Sequence, residues 1–264
     1  MQIVSTATDY FNQGVKYSDL GRYDDAIISY DNALKINPDD YLAWCNRGIA
    51  LGKIGHYNEA IVSFDKAIKI KSDESIPWYF LGGAFICLGR YDEAIASYDI
   101  ALKINPDDYL AWNNRGLALS KICRYDEAIA SFDKALKINP DLSPAWNDRG
   151  SALDGLKRWD EAIASYDMAI KIKPDESISW YNRGVALALL NRYIEAIASY
   201  DIALKINPDD YLAWNNRAVA LGKIGHYGKA IESYDRAIKI NPLFSEAQHN
   251  RDIALRQTVR SPSG

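Results

Sequence analysis

Apolar and small residues recur along this chain in two short runs per 34 residues, and each run has helical spacing. With the positions of one unit numbered 1 to 34, the first run occupies 3, 4, 7–8, 10–11 and 14, and the second 20–21, 24, 27–28 and 30. Trp44, Trp78, Trp112, Trp146, Trp180 and Trp214 carry the register at intervals of 34 without an insertion, with Tyr10 upstream and Gln248 downstream in phase. The stretch from Glu93 to Arg115 returns unchanged as Glu195 to Arg217, 102 residues or three units later. The units are 7–40, 41–74, 75–108, 109–142, 143–176, 177–210 and 211–244, followed by a partial unit, 245–258.

A turn such as LGRYDEA (88–94) separates the two runs. Gly89 is suited to the left-handed conformation that ends a first helix, and Asp92 to capping the second. The second helix is expected to stop at Asn-Pro, because the residue before proline is driven toward extended backbone. Helices are therefore predicted over positions 2–14 and 18–31. Neither can bury its apolar face alone, so neighbouring pairs must stack. The fold class that follows is all-α, an α-α solenoid of helix pairs. Residues 245–258 read as a capping helix with Ala247, Ile253, Ala254 and Leu255 inward and Arg251, Asp252 and Arg256 outward, and 259–264 as a disordered tail.

Composition narrows the function classes. Hydrophobic residues make up 48% and charged ones 25%, ordinary for a chain with a large core. The net charge of −4 comes from interleaved Lys and Asp/Glu, without the basic stripe a nucleic-acid binder shows. Apolar runs are far shorter than a bilayer span, and MQIVSTATDY lacks the pattern of a signal peptide. Neither nucleic acid nor membrane is expected as a partner, and the cytoplasm is the expected location. Cys45, Cys87 and Cys123 show no metal spacing and no clustering with His56, His226 or His249, so free thiols are expected and no metal or cofactor. No nucleophile–base arrangement or phosphate-cradling glycine loop is present, and the chain reads as non-catalytic.

Trp112, Gly116, Leu119, Tyr125, Ala128, Phe132, Ala135 and Pro140 of the fourth unit resemble the tetratricopeptide repeat. The other units repeat the pattern with few departures: Ala218 replaces the glycine of position 8, Ser72 the proline of position 32, and Cys123, Lys157 and Asn191 a glycine common at position 15. The resemblance covers 7–244. It implies a right-handed superhelix whose first helices line a concave wall, and a scaffold for protein–protein interaction. The tryptophans are expected to pack rather than to cage a ligand.

Position 7, usually leucine in that family, is arginine in Arg47, Arg115, Arg149, Arg183, Arg217 and Arg251. Position 25 is aspartate in all seven units, from Asp31 to Asp235. A buried guanidinium wants a carboxylate. Pairing each aspartate with the arginine of the next unit satisfies six and leaves only Asp65, opposite Leu81. An inter-repeat ladder is predicted.

Positions 2, 5, 6, 9, 12 and 13 form the stripe opposite the packing face of the first helix. Position 6 carries Asn12, Asn46, Asn114, Asn182 and Asn216, and position 5 adds Asn113, Asn147 and Asn215, with Tyr79 and Tyr181 in other units. An amide donates and accepts, so such a column could bind the backbone of an extended peptide whatever its sequence. Val15, Ile49, Leu117, Val185 and Val219 at position 9, and Leu42, Ile76, Leu110, Ile178 and Leu212 at position 2, add apolar area that either lines the wall or is covered by the preceding unit. Lys53, Lys121 and Lys223 supply sparse positive points. The Lys and Asn pattern by which a subset of the family grips a C-terminal carboxylate is missing at positions 5 and 9. The expected function is a scaffold binding a peptide or partner segment. The alternatives are a self-assembling module joined end to end, in a recently expanded or engineered array, or the recognition part of a larger protein.

Overall fold

The computed structural model describes residues 6–260. Fifteen helices, and no strand, occur among the described residues. The first helices of the successive units are α1 (Ala7–Asp19), α3 (Tyr41–Lys53), α5 (Ser75–Cys87), α7 (Tyr109–Lys121), α9 (Ser143–Gly155), α11 (Ser177–Leu189) and α13 (Tyr211–Lys223). The second helices are α2 (Tyr23–Ile36), α4 (Tyr57–Ile70), α6 (Tyr91–Ile104), α8 (Tyr125–Ile138), α10 (Trp159–Ile172), α12 (Tyr193–Ile206) and α14 (Tyr227–Ile240), and α15 spans Ser245–Arg260. The chain divides into two compact bodies between Ile138 and Asn139. Within each body consecutive helices pack, and each first helix also touches the first helix of the next unit. No described helix is long and apolar enough to cross a membrane.

The helices begin one residue earlier than their periodicity indicates, and in α3, α7 and α13 an aspartate cap marks the start. Asp40 and Asp210, the last residues of their units, accept from the backbone N–H groups of the following Leu and Ala, and Asp108 accepts from Ala111. The second helices are started differently from the expectation. Asp92 lies inside the first turn of α6, whose cap is Arg90 with no side-chain cap bond, so Asp92 complements the helix dipole instead. Arg90 instead bonds Glu93. The Asn-Pro stop behaves as read: Asn105 ends α6 outside the helical region, at φ −125° and ψ 89°.

Two close approaches fix the pair within a unit. Ala128 and Ala135, like their equivalents in every unit, are fully buried where the helices cross. A Cβ on Gly116 would lie 2.7 Å from the Phe132 ring, so glycine at position 8 lets the aromatic of position 24 press against the backbone. The connecting turn needs a left-handed residue at position 15. Gly21, Gly55, Gly89 and Gly225 supply it, and Cys123, Lys157 and Asn191 adopt the same region at φ 59–61°.

Neighbouring units are joined by two side chains that repeat. The indole N–H of Trp112 donates to the carbonyl of Pro106 at 2.8 Å, and each of the other repeat tryptophans reaches back six residues in the same way. Gln248 makes this bond to Pro242 in the position of a tryptophan. The predicted ladder forms in all five pairs that lie within one body: Arg47–Asp31, Arg115–Asp99, Arg183–Asp167 and Arg217–Asp201 at 2.6 Å, and Arg251–Asp235. The sixth expected pair, Asp133 and Arg149, has one member in each body. Asp65, for which the next unit carries the buried Leu81 in place of an arginine, takes no ion-pair partner among the described residues. Arg47, Arg115, Arg149, Arg183 and Arg217 also donate to a serine of their own unit, as Arg115 does to Ser131 at 2.7 Å, and four of these arginines stack over the tryptophan three residues before them.

The terminal helix differs in two respects from the expectation. Ala247 and Ala254 are buried against Ala230, Tyr234 and Ala237, but Ile253 and Leu255 remain 43% and 38% exposed. The helix also runs to Arg260, into the stretch expected as tail, and 261–264 lie outside the described residues.

One buried acid stands apart. Asp154 Oδ2 accepts from the Tyr166 hydroxyl at 2.6 Å, while Oδ1 is buried with no partner. Burial pushes this carboxyl up from 3.8 to about 6, and the tyrosine bond only partly opposes the shift. The folded pKa exceeds the unfolded one, so the stability from the protonated form is fully present below about pH 4 and is lost as pH rises through about 6. Asp154→Asn should therefore gain stability over the parent protein between pH 4 and pH 7 in urea titrations; an equal difference at both pH values would contradict this. Lys157→Gly relieves a left-handed lysine and should add about 1 kcal/mol by the same measurement. A loss of stability would show that the turn does not strain the side chain.

Candidate functional site

The first helices present one stripe that packing does not consume. Position 2 lies on it: Leu42, Ile76, Leu110, Ile178 and Leu212 are between 41% and 54% exposed, so the preceding unit does not cover them. Asn12 is exposed, and Asn46, Asn114, Asn182 and Asn216 are half-buried. Lys53, Lys121 and Lys223 are exposed.

Position 5 sits deeper. Asn113 and Asn215 are 7% and 2% exposed, and Asn147, Tyr79 and Tyr181 are half-buried. Position 5 points toward the joint between first helices, and it is there that the amides of position 6 make contact. Asn114 donates to the Tyr79 hydroxyl and Asn216 to that of Tyr181, each at 3.1 Å, and Asn182 donates to Asn147 Oδ1 at 3.1 Å. Asn113 and Asn215 in turn donate to Oδ1 of Asn114 and Asn216 at 3.4 Å. Asn215 also reaches Glu246, and the Oδ1 atoms of Asn113 and Asn215 are buried without a partner. Burial raises the pKa of Tyr79 and Tyr181, and the asparagine bond opposes the shift. These hydroxyls stay neutral near pH 7 and available to the network. The amides are thus linked in short chains from unit to unit. Both N–H groups of an asparagine are not consumed by one such bond, which leaves donor and acceptor capacity facing the stripe.

The sequence pattern did not reveal the hollows between successive first helices. Three of them use equivalent positions: 9, 13, 17 and 24 of one unit against 6, 9, 10 and 13 of the next. One of 230 Å³ lies among Ile49, Lys53, Tyr57, Phe80 and Cys87. One of 260 Å³ lies among Val185, Leu189, Tyr193, Val219 and Lys223, and one of 380 Å³ among Val219, Lys223, Tyr227 and Ile253. Their floors are apolar, and their rims carry a hydroxyl and a lysine. Only the 34-residue register, applied to two units at once, could have located them in the sequence. Among the described residues no group of three or more His, Cys, Asp or Glu could hold a metal ion. Such a surface can grip backbone amides and aliphatic side chains.

Sequence profiles described as tetratricopeptide repeat or TPR repeat match residues 41–74, 109–142 and 211–244, then 14–55 and 82–122, then 147–211. No curated protein is matched. Solved structures share the architecture. YrrB, described as a TPR protein with an unusual peptide-binding site, is 24% identical over 72% of this chain and 97% of its own, with a TM-score of 0.63. MamA is 27% identical over 64% of this chain and 92% of its own, with a TM-score of 0.60. A tetratricopeptide repeat protein from Parabacteroides merdae is 18% identical over 94% of this chain and 98% of its own, with a TM-score of 0.68. The profile matches fall in the register set by the tryptophans, and the helix pairs, their glycine–aromatic contacts and their left-handed turns all keep that period: the chain belongs to the tetratricopeptide repeat family.

Proposed function

We propose that this chain is a non-catalytic scaffold that holds an extended segment of a partner protein along the wall of its first helices. Membership of the family supports a protein-interaction scaffold in general. The observation that carries the finer reading is the chain of asparagine amides, already oriented by the tyrosines and asparagines of the preceding unit. An amide held by a neighbour loses little side-chain freedom when a ligand bonds to its remaining groups, so less of the interaction energy is spent on ordering. The exposed aliphatic residues of position 2 run beside it, an apolar strip of the kind that marks partner sites. The description of YrrB as carrying a peptide-binding site agrees with this use of the architecture.

The test is a titration of the parent protein and an Asn114→Ala, Asn182→Ala variant against an immobilised library of unstructured peptides. Binding by the parent and a loss of about tenfold or more in the variant are expected, with the helical circular dichroism unchanged. Equal affinity for the same peptides would place the site elsewhere.

A further inference from the structure

Two of the hollows adjoin. The one between α11 and α13 and the one between α13 and α15 share Val219 and Lys223, so a single lysine stands between two apolar floors. We propose that this stretch of wall selects an acidic polyproline-II segment, with two aliphatic side chains three residues apart and a carboxylate between them. The proposal rests on the scaffold reading and names the chemistry of its partner.

The charge argument comes first. Within the same body Arg183, Arg192, Arg217 and Arg251 each hold a carboxylate of this chain. Lys223 is exposed and has no ion-pair partner among the described residues. Arg256, at position 12 of α15 and therefore on the same stripe, is also exposed and without such a partner. The protein as a whole is acidic, at −4, and these two exposed cations lie on the wall of first helices. A cation left unpaired between apolar floors is complementary to an anionic group flanked by aliphatic ones. In the other body Lys53, at the same repeat position and likewise without an ion-pair partner among the described residues, borders one such hollow rather than two.

The spacing argument selects the backbone. Helices standing side by side in a wall are about 10 Å apart, one helix diameter. A polyproline-II segment advances about 3.1 Å per residue with three residues per turn, so residues i and i+3 lie on one side about 9 Å apart. A β-strand would turn those two side chains to opposite faces. Such a segment also leaves its backbone N–H and C=O groups unpaired, free for the neighbouring Asn216.

The probe is acetyl-Ser-Leu-Pro-Glu-Leu-Pro-Ser-amide, titrated to millimolar concentration into the nitrogen-15-labelled full chain and followed by NMR. Shifts at the backbone amides of Val219, Lys223 and Ile253 are expected, with at least tenfold weaker binding when both leucines of the peptide are serine. Lys223→Glu should weaken the probe at least tenfold and gain the peptide that carries lysine in place of glutamate. Absence of shifts around Val219, equal binding by the serine peptide, or equal binding by Lys223→Glu would each overturn the proposal. Binding that ignores Lys223→Glu but fails in the Asn114→Ala, Asn182→Ala variant would keep the scaffold reading and sink this one. Binding that responds to Lys223→Glu but not to the asparagine changes would keep this proposal and remove the Asn114 and Asn182 amides from the site.

Discussion

In four units one guanidinium holds both an aspartate of the preceding unit and a serine of its own. Arg183 bonds Asp167 of the preceding unit at 2.6 Å and Ser199 of its own at 2.7 Å, with the side chain only 21% exposed. Arg115 and Arg217 do the same and add the face of a tryptophan. A planar guanidinium holds its N–H donors in fixed directions and serves two acceptors at once, where a lysine would offer a freely rotating ammonium. The clamp thus fixes a first helix against two second helices, one on either side. Here the joint is directional, because the arginine is desolvated and would be costly without its carboxylate. The tryptophan bond to the carbonyl before each joint adds a second directional contact, and Gln248 preserves it where the indole is missing.

That division of labour frees the opposite face of the first helix. Positions 3, 7, 8, 10 and 11 carry the packing, so positions 2, 6, 9 and 13 can vary at little cost to the fold. They do vary: position 6 is asparagine in five units, but Phe80 and Asp148 in two. The same geometry produces the hollows, because side chains of position 9 in adjacent units are separated by the width of a helix and only partly fill the space. The account of binding follows from how the units are joined.

Much of this was legible before any coordinates. The period, the helix pairs, the left-handed turn at Gly89 and the Asp–Arg ladder all depend on residues that recur in register, and recurrence is visible in one dimension. What escaped depends on distance between units. The serine partners of the arginines look like ordinary small helix residues. The burial of Asn113 and Asn215 depends on how closely adjacent first helices approach, and the sequence placed them on the same open stripe as Asn114. Asp92 resembles a helix cap by residue type, but the chain enters the helix two residues earlier. Ile253 and Leu255 looked inward because their periodicity matches internal units, although both stay partly exposed and Ile253 lines the hollow beside α13. Asp154 could not be distinguished from a solvated acid without the neighbouring Tyr166.

The claim that the arginine clamp joins the units is tested most directly by a double-mutant cycle on Asp201 and Arg217, using Asp201→Ala, Arg217→Ala and the double variant in urea titrations. The account predicts that the two losses are not additive, with a coupling of about 1 kcal/mol that shrinks as salt is raised, and that Asp65→Ala, which has no arginine opposite, costs far less than Asp201→Ala. Additive losses, or equal costs for Asp65→Ala and Asp201→Ala, would contradict it.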